Sequence, residues 1–143
     1  MSTFITNLFK NAPSNINFNY IKQDLIRLTE NMEDQANLDN QDFVYSIGLA
    51  DYLPDRILKN FIKFCIGRLS KKGKFVITHK DVERCHPVSP DWFCDWNFYS
   101  RSENKLFELI KSVGADCFSI EKEYLKPSCI FFITLIKKQG HGR

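Results

Sequence analysis

A histidine, an arginine among aromatics and an acidic–aromatic pair stand where an α/β sheet would expose them. The stretch 41–56, QDFVYSIGLADYLPDR, reads as a buried strand that stops at Gly48, then a short loop, then a helix. Open α/β sheets bind ligands outside the carboxyl ends of their strands. Asp51 and Tyr52 therefore occupy a ligand-contact position, and equally the entry of a helix. His79 ends the next apolar strand, facing the same crevice, and is the candidate general base. The competing reading is a partly exposed loop histidine. Trp96, Tyr99 and Arg101 cluster before the last helix. An arginine with aromatic neighbours can hold a substrate carboxylate. Core packing by the aromatics beside a surface arginine is the alternative.

Other side chains carry less chemistry. The five cysteines, Cys65, Cys85, Cys94, Cys117 and Cys129, are odd in number and form no CxxC pair, so reduced and mostly buried thiols are expected. Cys85, His86 and Cys94 match the spacing of no common zinc module, and no metal site is expected. The net charge of +3 is too mild to argue for nucleic acid, and Lys71, Lys72 and Lys74 suit a solvated turn. The start, MSTFITNLFKNAPS, has no cationic end or long apolar stretch, so it does not read as a secretory signal. The longest apolar run, from Cys129 to Ile136, is broken by Thr134 and is too short to span a bilayer. A soluble, cytoplasmic protein is the default expectation.

With 143 residues, 43% of them hydrophobic and 26% charged, the chain has material for one domain with a real core. No internal repeat or low-complexity linker interrupts it. Phe4, Ile5, Leu8 and Phe9 predict a short amphipathic helix over 3–11. Ile16, Phe18 and Tyr20 alternate with Asn17, Asn19 and Ile21, which predicts a half-buried strand. Residues 23–40 read as a loop with one helical turn. Phe43 to Ile47 is a continuous apolar run, as in a strand covered on both faces. Leu58, Phe61, Ile62, Cys65 and Leu69 trace one helix face after Pro54 and Asp55. Lys72-Gly73 predicts a turn into a buried strand at Phe75-Val76-Ile77, and 79–95 a long loop. Ser102 can cap a helix that Gly114 stops. Phe118 and Ile120 suggest an edge strand, paired by a short connection to a buried strand ending at Ile136. Alternating strands and helices predict a three-layer α/β sheet. Residues 1–138 form the expected domain, and 139–143 a flexible tail.

This order, ending in a hairpin whose last strand is the more buried, resembles the C-terminal half of class I S-adenosylmethionine-dependent methyltransferases. The residues agree with that pattern. INFNYIKQD ends in Asp24, where the family places an acidic contact to the adenine end of the cofactor. DFVYSIGL fits the acidic residue and apolar run of the fourth strand. LSKKGKFVIT matches the turn into the fifth strand, with Lys72 for the usual proline and Gly73 for a glycine pair. SIGLADYLPDR and DWNFYSRSENKLFELIKSVGA are similar to a bacterial subgroup resembling 3-hydroxy fatty acid methyl ester synthases. The resemblance runs from about Ile16 to Lys138. It implies S-adenosylmethionine as cofactor, with Asp24, Ser46, Ile47, Gly48 and Leu49 beside it. It also implies a small-molecule or fatty-acid-like methyl acceptor.

One departure is large. The family's glycine-rich turn after the first strand is missing, since no G-x-G occurs before Gly140. The acidic residue that would hold the ribose is missing with it. Family strands 1 and 2, roughly 50 to 60 residues, are expected to be absent from a partial Rossmann-like sheet of strands 3–7. In the family order 3-2-1-4-5-7-6 that removes the centre and leaves the 43–47 strand with an open edge. Three outcomes are open. The strand at 16–21 moves in beside 43–47, a second copy or a separate N-terminal half completes the sheet, or the chain is a poorly folding gene fragment. Two functions follow: a methyltransferase domain that needs its missing front, or a non-catalytic remnant acting as a binding module.

Overall fold

Alternation along 69–80 decides the architecture. Phe75, Ile77 and His79 are buried on one side of that segment, while Val76, Thr78 and Lys80 take the other. The computed structural model describes residues 13, 15–17, 19–30, 38–84, 98–126 and 128–138. They form helix α1 (Leu25–Glu30), strand β1 (Gln41–Ser46), helix α2 (Asp55–Gly67), strand β2 (Leu69–Lys80), helix α3 (Glu103–Ser112), and strands β3 (Phe118–Tyr124) and β4 (Ile130–Lys137). The strands make one four-stranded sheet in the order β1-β2-β4-β3. β1 runs parallel to β2, whereas β4 is antiparallel to both of its neighbours.

Parallel neighbours need a crossover, and α2 supplies it. Pro54 is extended and cannot continue a helix backwards, and Asp55 suits the positive end of the helix that follows. Its apolar stripe, Ile57, Leu58, Phe61, Ile62, Cys65 and Ile66, lies on the sheet, with Phe61 edge-on to Phe75 at 6.1 Å. α3 begins at Ser102, whose hydroxyl accepts from the Lys105 amide at 3.4 Å. It ends before Gly114, whose φ of 82° suits glycine. Leu106 and Ile110 from α3 join Phe75, Ile77, Phe131, Ile133 and Leu135 in a core shielded from solvent. Each such side chain contributes on the order of 2 kcal/mol of burial.

Several expectations are corrected. No strand forms at the described residues 16, 17 and 19–21. Ile16, Tyr20 and Ile21 are 45–47% exposed, and a lone strand without a neighbour has no bonds to hold it. β1 is covered on one face only, because α2 and α3 both lie against the face of Val44 and Ser46. Phe43, Tyr45 and Ile47, on the other face, are 56%, 65% and 67% exposed. Lys72-Gly73 is not a turn, since β2 already starts at Leu69. The pairing instead bulges there: Gln41 opposes Leu69 while Phe43 opposes Lys74. Gly73 fits because a Cβ there would sit 2.6 Å from the Gln41 carbonyl oxygen. The thiols are not uniformly reduced and buried. Cys65 is free and buried, with its pKa pushed up to about 12 by desolvation, Cys117 is free and exposed, and Cys129 is disulfide-bonded. The predicted helix over 3–11, the group Cys85, His86 and Cys94, and the tail lie outside the described residues.

The tip of the β3–β4 hairpin is tied to α3 by charge. The Glu103 carboxylate accepts from Lys122 Nζ at 2.5 Å and from the Tyr124 hydroxyl, and Arg84 stacks 3.9 Å from the centre of the Tyr124 ring. The hydrogen bond from Lys122, then that from Tyr124, holds the Glu103 carboxyl below its usual range. Burial, then the bond to Glu103, pushes the Tyr124 phenol up to about 12.

Two predictions follow from this packing. Gly73→Ala should cost about 2 kcal/mol, read from the urea midpoint, because the obstructing atoms are the Gln41 carbonyl oxygen, the Ser70 nitrogen and the Leu69 Cβ, none of them a movable side-chain tip. Glu103 is depressed in the folded state, so its contribution is present above the unfolded value of 4.5 and is lost as pH falls through the lower folded value. Tyr124 is raised, so its contribution is present below pH 10.0 and is lost as pH rises through about 12. Urea midpoints measured against pH should lose part of the acid limb in Glu103→Gln and part of the alkaline limb in Tyr124→Phe.

Candidate functional site

Because β1 and β2 run parallel, their carboxyl ends open side by side. β1 leaves the sheet through Gly48, whose φ of 72° is open to glycine and strained for other residues. The Gly48 amide donates to Thr78 Oγ1 at 2.9 Å, which pins one strand end to the other. No atom lies within 4 Å of where a Gly48 Cβ would be, so the turn borders open space. Ile47 is exposed there, and Leu49 packs partly against the core. Ser46 is 7% exposed and its hydroxyl has no hydrogen-bond partner among the described residues.

A short 3-10 turn, Ala50–Tyr52, follows. Asp51 holds it in place through several contacts. Its carbonyl accepts from the Tyr99 amide at 2.7 Å, and its carboxylate accepts from the Lys80 amide at 3.2 Å. The same carboxylate oxygen lies 2.5 Å from His79 Nδ1. Neither ring nitrogen of His79 makes an aligned hydrogen bond, so the contact with Asp51 is a close approach without good angular geometry. Tyr52 stacks against Phe98 with 5.1 Å between ring centres.

Two candidate residues are placed differently from the sequence reading. His79 does not face the crevice. It is two positions beyond Ile77 on the helix-covered face, 1% exposed and edge-on to Phe131 at 6.0 Å. A group so enclosed cannot reach a substrate proton in this conformation. Arg101 is 3% exposed and its donors are committed. Nε donates to Asp55 Oδ1 at 2.8 Å, Nη1 to the Ala50 and Tyr99 carbonyls at 3.0 and 3.1 Å, and Nη2 to the Leu53 carbonyl. It clamps the loop after β1 and is not available to hold a substrate carboxylate.

Asp24 follows no strand among the described residues. Its carboxylate caps α1, accepting from the Arg27 amide at 3.1 Å. No described hydrogen bond or ion pair joins it to 46–52. Tyr99 is 47% exposed beside the turn, and Trp96 lies outside the described residues. The sequence reading missed Thr78 and Asp55 as fasteners of the site. Counting two positions back from Lys80 would have placed Thr78 on the same face as Val76, but not its bond to Gly48. A cavity of about 790 Å³ lies elsewhere, lined by Arg56, Lys63, Phe64, Cys117 and Phe118 and reaching Arg68, next to where β2 begins.

No protein-family model and no curated protein matches the sequence. Solved structures do match in fold. An O-methyltransferase family protein from Burkholderia thailandensis is similar with a TM-score of 0.58 at 12% identity, over 86% of this chain and 36% of that one. Human N-acetylserotonin methyltransferase in complex with S-adenosylmethionine is similar with a TM-score of 0.52 at 12% identity, over 68% of this chain and 29% of that one. A Haloferax volcanii protein described as a methyltransferase, in complex with the Trm112 activator, gives 0.56 at 10% identity, over 71% and 57%. The chain thus spans between about a third and somewhat over half of these neighbours' lengths. It has a mixed α/β fold like theirs, with a four-stranded sheet and three helices among the described residues.

Proposed function

We propose that this chain is the acceptor-side half of an S-adenosylmethionine-dependent methyltransferase domain, whose remaining cofactor contacts come from polypeptide outside these 143 residues. The observation that carries the reading is the Gly48 turn at the carboxyl end of β1, open on the side where a Cβ would lie and pinned by Thr78. The strand order β1-β2-β4-β3 supports it, since it corresponds to the run 4-5-7-6 of the methyltransferase sheet. On this reading Ser46, Ile47, Gly48 and Leu49 form one wall of the cofactor site, with Asp24 contributing at its adenine end. Asp51, Tyr52 and Tyr99 lie toward the acceptor, and Trp96 is assigned there on the sequence pattern alone. These residues fit one wall only: no glycine-rich turn and no ribose-binding carboxylate is present among the described residues.

When bound, the cofactor supplies an electrophilic sulfonium methyl. The protein's task is to position the acceptor and exclude water around it. Arg101 acts as a positioning residue, holding the Ala50 and Leu53 carbonyls in place. The acceptor is a small molecule, and the subgroup resemblance favours one that is fatty-acid-like. The second reading, a non-catalytic remnant, is favoured by one observation. Among the described residues, β1 has no neighbour on the side where the glycine-rich strand would lie.

Calorimetry on the purified chain should show S-adenosylmethionine binding no tighter than about 1 mM, and micromolar binding would contradict the two-part site. In an assembly completed by a polypeptide carrying a G-x-G turn, Gly48→Val and Asp24→Ala should each weaken cofactor binding. If neither does, the remnant reading stands. Arg101→Met should cost about 3 kcal/mol in urea unfolding, since it strands the Leu53 carbonyl without a donor and leaves the Ala50 carbonyl with the long bond from the Leu53 amide, 3.4 Å.

A further inference from the structure

The two ends of the sheet are built differently. β3 closes one side with Glu121, Lys122 and Glu123 in its run FSIEKEY, charges that discourage a further strand. β1 closes the other with no such guard. Among the described residues, the backbone of 42–47 makes no hydrogen bond beyond those to β2. Phe43, Tyr45 and Ile47 stand 56%, 65% and 67% exposed along that edge. Its one charge, Asp42, accepts from Ser70 Oγ at 2.8 Å. Exposed apolar edges of this kind are templates for pairing.

We propose that two copies of this chain pair through antiparallel β1 strands about a two-fold axis at Val44, joining their sheets into one. A two-fold normal to the sheet puts residues of the same face opposite each other, so opposed residue numbers must sum to an even number. Centring on Val44 brings the whole of 41–47 into register. Phe43 then faces Tyr45 of the second copy, twice over. The tilted Phe43–Tyr45 ring pair within each copy, at 5.9 Å, extends to a row of four rings. Asp42 meets the neutral Ser46, so no like charges oppose each other. Centring on Tyr45 would set Asp42 against Gly48, whose amide is already given to Thr78. Centring on Phe43 would shorten the overlap and oppose Asp42 to Val44. The pairing does not rest on methyl transfer, but it uses the edge that a completing strand would need, so the two occupants exclude one another.

Sedimentation of the purified chain over roughly 1 to 300 µM should show a monomer–dimer equilibrium. Amide exchange in 41–47 should slow as the dimer fills, while that in β3 stays unchanged. Tyr45→Lys alters a side chain exposed in the monomer, so it spares the fold. It should raise the dissociation constant at least about tenfold. Glu121→Lys on the far edge should leave it unaltered. A monomer at every concentration overturns the proposal and leaves the edge to a strand of another polypeptide. A dimer that Tyr45→Lys leaves intact, or whose 41–47 amides exchange as fast as in the monomer, overturns it in favour of another face. Cofactor titration reads out the proposed function separately, so either reading can fail alone.

Discussion

The parallel pairing of β1 with β2 is the constraint from which the rest follows. Two parallel strands cannot be joined by a tight turn, so the chain must cross the sheet, and α2 is that crossing. The crossing covers one face and brings both carboxyl ends to the same rim. It also places Gly48 and Thr78 within hydrogen-bond reach. The antiparallel β4 then fills the slot beside β2, and β3 is carried to the far edge by its hairpin.

The rim is held by buried polar groups more than by apolar contact. Arg101 gathers three carbonyls and the Asp55 carboxylate from segments far apart in the chain. A guanidinium can do this because its donors form a planar fork that remains charged. Asp51 plays the complementary part, accepting from the Lys80 amide while its own carbonyl accepts from that of Tyr99. The loop between β1 and α2 is thus fastened from both sides. A rigid rim of this sort suits a site that must position a small molecule.

Much of this was legible in the residues. The stripe of α2, the Ser102 cap and Gly114 stop of α3, and the C-terminal hairpin follow from spacing and local chemistry. His79 and Arg101 depart from the sequence expectation for one reason: residue type and neighbours in sequence do not carry burial. Their burial depends on which side of β2 a position falls and on carbonyls about 50 residues away. The strand expected at 16–21 failed similarly, since alternation marks the capacity to pair but supplies no partner. The disulfide at Cys129 was likewise invisible in a count of cysteines.

By itself the sequence determined the local elements, because helix periodicity, caps and glycine turns act over a few residues. It also determined the order of those elements, and with it the class of fold. Only the tertiary structure decided which face of β1 is covered, that His79 and Arg101 are interior, and that one sheet edge stands open among the described residues. Those outcomes depend on what lies across the sheet from each residue, and contacts of that range leave no mark on neighbouring positions in the chain.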